Sequence, residues 1–188
     1  MKKYFAIAFL SVAGAASLRA DPPIQLSFVP DFALYHHDVF VRGLALNFWG
    51  ENPQAGLDLG VINGSTDDST GFSCGLLNYA EAYSGVQFAG INCNEKYFSG
   101  LEIGCVNVSM GSFKGCQLGG VNITETTAGV QFGAANVAGD VTGLQLGAVN
   151  YANNLRGLQI GVINVVANNE WFSHNQLGVC FPLVNWSF

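Results

Sequence analysis

The sequence predicts an all-β fold, a repeat β-solenoid of 14–15-residue coils closed by end caps, and three observations predict it. An eight-residue unit of Gly, apolar, mostly polar, apolar, Gly, small or apolar, apolar, Asn recurs eight times from Gly56 onward, its starts 14 or 15 residues apart. The first half of each unit alternates apolar with polar, as in Leu144-Gln145-Leu146, which is the period of a strand. Odd and even copies look alike, as coils stacked in one direction require and as antiparallel neighbours do not. A helical array is disfavoured because two glycines four apart in almost every unit would each cost about 1 kcal/mol there.

Composition agrees. The chain has 188 residues, 49% hydrophobic and 11% charged, with 24 glycines and 5 prolines. That is enough for one domain with a core. It is too apolar for a disordered tail, and the glycines lack the every-third-residue period of collagen.

Residues 1–20 read as a secretory signal peptide. Lys2 and Lys3 precede an apolar run from Tyr4 to Ala16, too short to span a bilayer as a helix. Cleavage is expected after Ala20, with earlier cuts near Ala15 or Ser17 also compatible. The net charge of −6 becomes more negative when Lys2, Lys3 and Arg19 leave. An acidic chain with few cations has no footprint for phosphate backbones, so nucleic acid is not an expected partner.

Residues 21–55 read as an N-terminal cap. Ile24, Leu26 and Phe28 alternate as a strand, Pro30-Asp31 breaks it, and Val39 to Phe48 forms a second strand that shields the first coil's open edge. Residues 56–170 are the eight-copy array. Between units lie turn residues such as Asn153-Asn154. The final asparagines, Asn63, Asn78, Asn92, Asn107, Asn122, Asn136, Asn150 and Asn164, are expected to stack as a structural ladder of amides. Apolar residues at the second, fourth and seventh places, such as Leu158, Ile160 and Ile163, are expected inside. The third places, Asp58, Ser73, Gln87, Glu102, Gln117, Gln131, Gln145 and Gln159, are then an outward polar stripe available to a ligand or partner. Residues 171–188 form a C-terminal cap strand, and Trp49, Trp171 and Trp186 read as capping side chains.

An alternative stays open at this level: a small up-and-down outer-membrane-type β-barrel. Val184-Asn185-Trp186-Ser187-Phe188 alternates and ends on Phe, as the last strand of such barrels does.

Val41-Arg42-Gly43-Leu44-Ala45-Leu46-Asn47, the Gly56-Leu57-Asp58-Leu59-Gly60 unit, the Gly-Leu-Gln-Leu-Gly array and the ending Phe181-Pro182-Leu183-Val184-Asn185-Trp186-Ser187-Phe188 resemble the bacterial surface-repeat family first noted in spirochaetes. The resemblance covers roughly residues 24 to 188. It implies an exported, envelope-associated repeat protein without an assigned reaction. Ala89-Gly90 and the cysteines depart from the pattern.

Chemistry-bearing residues are sparse. Cys74, Cys93, Cys105, Cys116 and Cys180 show no Cys-x-x-Cys spacing and are expected as mostly free, buried thiols. His36 and His37 are adjacent, so in a strand they point apart, and His174 falls in the C-terminal cap. The acids form no opposed pair of the kind glycoside hydrolysis needs. Asn63, Asn107, Asn122 and Asn185 open Asn-x-Ser/Thr sequences, a by-product of the structural Asn. No cofactor or metal is expected. The expected function is a non-catalytic envelope or surface scaffold, exported to the periplasm, outer membrane or cell surface, with an envelope or surface partner. A small barrel, as pore or structural protein, is the second reading, and an enzyme the third.

Overall fold

A computed structural model describes residues 21–188; the leader expected over 1–20 lies outside the described residues. The strands are β1 (Ile24–Val29), β2 (Phe32–Ala33), β3 (Val41–Glu51), β4 (Gln54–Cys74), β5 (Leu77–Val166) and β6 (Cys180–Ser187). They form one sheet in the order β2-β1-β3-β4-β5-β6. β1 pairs parallel with β3, β3 with β4, and β4 with β5. Like residues face like: Gly43 lies beside Gly56, and Gly71 beside Gly85. The fold is therefore a β-solenoid of stacked parallel coils. The barrel alternative is overturned, because its neighbouring strands would run antiparallel.

The extended backbone of β5 runs unbroken for 90 residues because each coil bends without leaving strand geometry. The first glycine of every unit permits that bend. At Gly157 φ is 146°, a region that side chains rarely adopt. A Cβ there would also collide with the carbonyl oxygen of Gly143 in the coil beneath.

The inside of the stack is the reverse of the expected one. Third-place Asp58, Ser73, Gln87, Glu102, Gln117, Gln131, Gln145 and Gln159 are at most 2% exposed, so they form an interior column and no outward stripe. The flanking apolar residues point out, with Phe88 at 49%, Phe132 at 56% and Ile160 at 42% exposed; Leu158 is half-buried and Ile163 exposed. Two further inward columns stand at the tenth place of each coil and two residues before the next glycine. They supply the apolar core: Ala80, Tyr83, Phe98 and Phe113 in one cluster, and Ala138, Val141, Ala152, Leu155 and Val166 in another. Phe98 and Phe113 stack at 5.5 Å with rings 2° from parallel.

Stacking makes the reversal possible. Parallel coils repeat about every 4.8 Å, which is the spacing at which one primary amide donates to the next, so a column of Gln or Asn satisfies itself. Alternation separates the residues of a strand into two faces; it does not say which face is covered.

The stack begins before the sequence repeat does. Ile24, Gln25, Leu26 and Ser27 lie beside Leu44, Ala45, Leu46 and Asn47, and Gln25 is 0% exposed, so the segment expected as a cap continues the coils. In β3 the places of Asn and Gly are exchanged. Asn47 lies beside Gly60, and Gly50 beside Asn63; a Cβ on Gly50 would overlap the Asn47 amide, which fills the space from the other side. At the far end β6 pairs antiparallel with the last coil, from Gly157 beside Ser187 to Val165 beside Cys180. The alternating C-terminal strand is thus the cap on an open edge.

Candidate functional site

Two polar columns run along the inside. In the first, Asn63 Nδ2 donates to Asn78 Oδ1 at 3.0 Å, and the same bond is repeated at 2.8–3.0 Å up to Asn150 and Asn164. Each amide from Asn63 to Asn150 spends its other hydrogen on the fourth-place carbonyl of the next coil, for example Asn136 on Leu146 O at 2.9 Å, and Asn164 donates to Gly161 O and Phe181 O. These eight asparagines are at most 1% exposed. The hydroxyl-containing tripeptides that Asn63, Asn107, Asn122 and Asn185 begin therefore present no accessible amide in the folded chain.

The second column runs the opposite way. Gln159 donates back to Gln145, Gln145 to Gln131 and Gln131 to Gln117, at 2.7, 2.7 and 2.9 Å, and Gln117 Nε2 donates to Glu102 at 2.5 Å. A carboxylate cannot donate onward to Gln87. Asn94, at the tenth place, resolves this by donating to both Gln87 Oε1 (2.9 Å) and Glu102 Oε1. Asp58 is served in the same way, by Gln54 Nε2 at 2.6 Å and Asn47 Nδ2 at 2.5 Å. Burial outweighs these donors and lifts both acids to about 7, from 3.8 for Asp58 and 4.5 for Glu102. Both acids lie inside the stack, with their polar capacity spent on structure.

The surface divides sharply. Apolar side chains occupy the second, fourth, sixth, seventh and ninth places, which turn outward over two sides of each coil and the corner between them. In the eight units Lys, Arg, Asp and Glu never occupy these places. Every charge of the array except Asp58 and Glu102 lies between the eleventh place and the next glycine, as do Glu81, Lys96, Glu125 and Arg156. Lys96 and Glu81 pair there at 2.5 Å across adjacent coils. At the seam stand amphipathic aromatics. Tyr79 and Tyr151 hold the ninth place; Trp49 Nε1 donates to Tyr79 Oη at 3.1 Å, and Tyr151 Oη donates to Asn153 at 2.9 Å.

Cys74, Cys93, Cys105, Cys116 and Cys180 are free but not buried, contrary to expectation. They stand mostly in outward columns, where they replace Leu, Val or Ala; Cys105 and Cys180 are exposed. Partial burial raises the thiols of Cys93 and Cys116 above their usual range. His36 and His37 lie in a turn, not a strand, with rings edge to face at 4.2 Å, and His36 Nδ1 is 2.8 Å from Asp38. His174 is exposed in the segment before β6. Among the described residues no three His, Cys, Asp or Glu side chains gather as a metal site. Trp171 is 55% exposed, whereas Trp186 is half-buried in the cap strand. No helix among the described residues is long and apolar enough to cross a membrane.

The outward apolar columns are the feature that sequence reasoning missed. The signal was present as the absence of any charge at those five places. No family model, curated protein or solved structure matches the chain.

Proposed function

We propose that the chain is an exported, non-catalytic envelope or surface repeat protein whose rigid solenoid serves as an interaction scaffold. The observation that carries this reading is the set of apolar outer columns, free of charge through all eight repeat units and rigidly spaced by the two amide ladders. A monomeric soluble protein rarely exposes a contiguous apolar patch beyond a few hundred Å², so such a surface supports a role in contact with another phase or molecule. The leader pattern of Lys2, Lys3 and the run from Tyr4 to Ala16 supports export, as does the resemblance to the surface-repeat family.

The test is fractionation of the producing cells, with an antibody against the chain and protease added to intact cells. Recovery in the envelope fraction, with the leader removed, is expected. Recovery of uncleaved chain in the cytosol would sink the reading.

A further inference from the structure

The outer columns are too curved for a single flat protein partner. Nineteen large apolar side chains at the outward places, from Ile24 to Ile163, are 36–68% exposed. At roughly 150–200 Å² per large side chain they offer on the order of 1,500 Å², an area that each side of a large obligate interface also buries, so shape and not area decides what covers them. They also wrap two sides and a corner of each coil. A second copy docking through a two-fold axis would cover one flat side and leave the other wet. A fluid apolar phase covers both.

The seam indicates the same phase. Tyr151 holds its ring among the apolar columns and turns its hydroxyl to Asn153 at the polar edge, and the Tyr79 hydroxyl lies between Trp49 Nε1 and Glu51, as aromatic residues do at membrane–water boundaries. The charges beyond that seam are mostly acidic, so attachment through anionic headgroups is not what the surface offers.

We infer that the solenoid lies along a lipid bilayer, its apolar columns sunk among the acyl chains and its charged corner in water. The inference deepens the scaffold reading by naming the partner of that surface, and it rests on that reading for location alone.

Vesicle flotation with phosphatidylcholine liposomes tests it, using protein purified from its cells in detergent and returned to detergent-free buffer. The wild-type chain is expected to float, equally at 0.1 and 0.5 M salt because apolar burial is not screened. The triple variant F88D/F132D/I160D is expected to lose at least tenfold in partitioning, and E125K/D140K to keep it. In the wild-type chain brominated phosphatidylcholine should quench Trp49, which lies beside seventh-place Ile62; this reading stands even where the triple variant fails to fold. A wild-type chain that stays at the bottom as a monomer, a dimer whose formation abolishes flotation, or unquenched Trp49 overturns the inference. Envelope recovery without flotation would remove only the lipid partner, and flotation of a chain found in the cytosol would remove only the envelope assignment.

Discussion

At the scale of single residues, the alternation along each unit carries opposite consequences for neighbours one place apart. Gln145 donates to Gln131 and to Tyr151 O and accepts from Gln159, all out of water. Gln145→Leu keeps the volume but strands two acceptors and a donor, so a loss of about 2–4 kcal/mol is expected. Phe132→Gln, one place along from Gln131, alters a side chain that is 56% exposed, and should stay within about 0.5 kcal/mol. Urea unfolding of the two variants checks this; equal losses would mean that the inner and outer faces are misassigned. The sequence made the two faces legible but not their sign, since apolar-inside is a rule drawn from cores in which amides have no identical neighbour to bond.

The buried acids give a pH dependence of unusual direction. Asp58 and Glu102 titrate near 7 when folded and near 4 when unfolded, so the folded chain holds the proton more tightly. Their contribution is fully favourable below about 4, declines as pH rises, and settles at its least favourable above about 7, a change of about 4 kcal/mol for Asp58 and about 3 kcal/mol for Glu102. Glu102→Gln removes one such slope and lets the amide column run through. Thermal melts between pH 5 and 8 should show wild-type Tm falling with pH, the Glu102→Gln curve flatter, and the D58N/E102Q curve flatter still. A wild-type Tm that rises over this window would contradict the assignment of these acids as buried.

At the scale of the coil, each glycine column serves a different constraint. The first holds a positive φ, while the second leaves room for the Asn amide of the coil beneath: a Cβ on Gly161 would approach Asn150 Nδ2 and the Gly147 carbonyl. Ala89 tests that account within the chain itself. It stands at the second-glycine place, and the bond beside it, Asn78 Nδ2 to Phe88 O, is 3.4 Å long, whereas its equivalents measure 2.9–3.1 Å. One methyl is therefore tolerated by stretching a single bond. No such give exists at the first place. Gly129→Ala, at φ 146° and against the Gly115 carbonyl, is expected to cost about 3 kcal/mol or more, whereas Ala128→Gly beside it should cost about 1 kcal/mol or less. Denaturant midpoints of the pair check the distinction. The earliest coils escaped the sequence pattern for a related reason. Pro23 and Gly43 stack as the glycines do, with a Cβ on Gly43 meeting the Pro23 carbonyl, but the Asn47/Gly50 exchange hides the motif while preserving the filled space.

At the scale of the molecule, every coil is a template for the next, so stability and solubility depend on how the last one is closed. β6 meets the final coil antiparallel from Gly157 to Val165, with one shift of register between Gly161 and Asn164. Asn185, beside Gln159, is 0% exposed and turns its amide to Gly178 O at 2.9 Å. Because β6 runs against the stacking direction, it cannot offer the amide columns or the glycine corners a matching coil, and growth stops there. Deleting residues 180–188 would leave the Gly157–Val166 edge with its backbone groups and the Gln159 amide open, a face equivalent to the interior ones that already bind a coil. The truncated chain is expected to assemble edge to edge with concentration-dependent, thioflavin-positive growth, while the full chain stays silent under the same conditions. Point changes to β6 that keep its backbone pairing, such as Leu183→Lys at a residue 74% exposed, should not trigger assembly. If the truncated chain remained monomeric and as stable as the full one, the terminal strand would be an ornament on the stack, and termination would have to reside in the last coil itself.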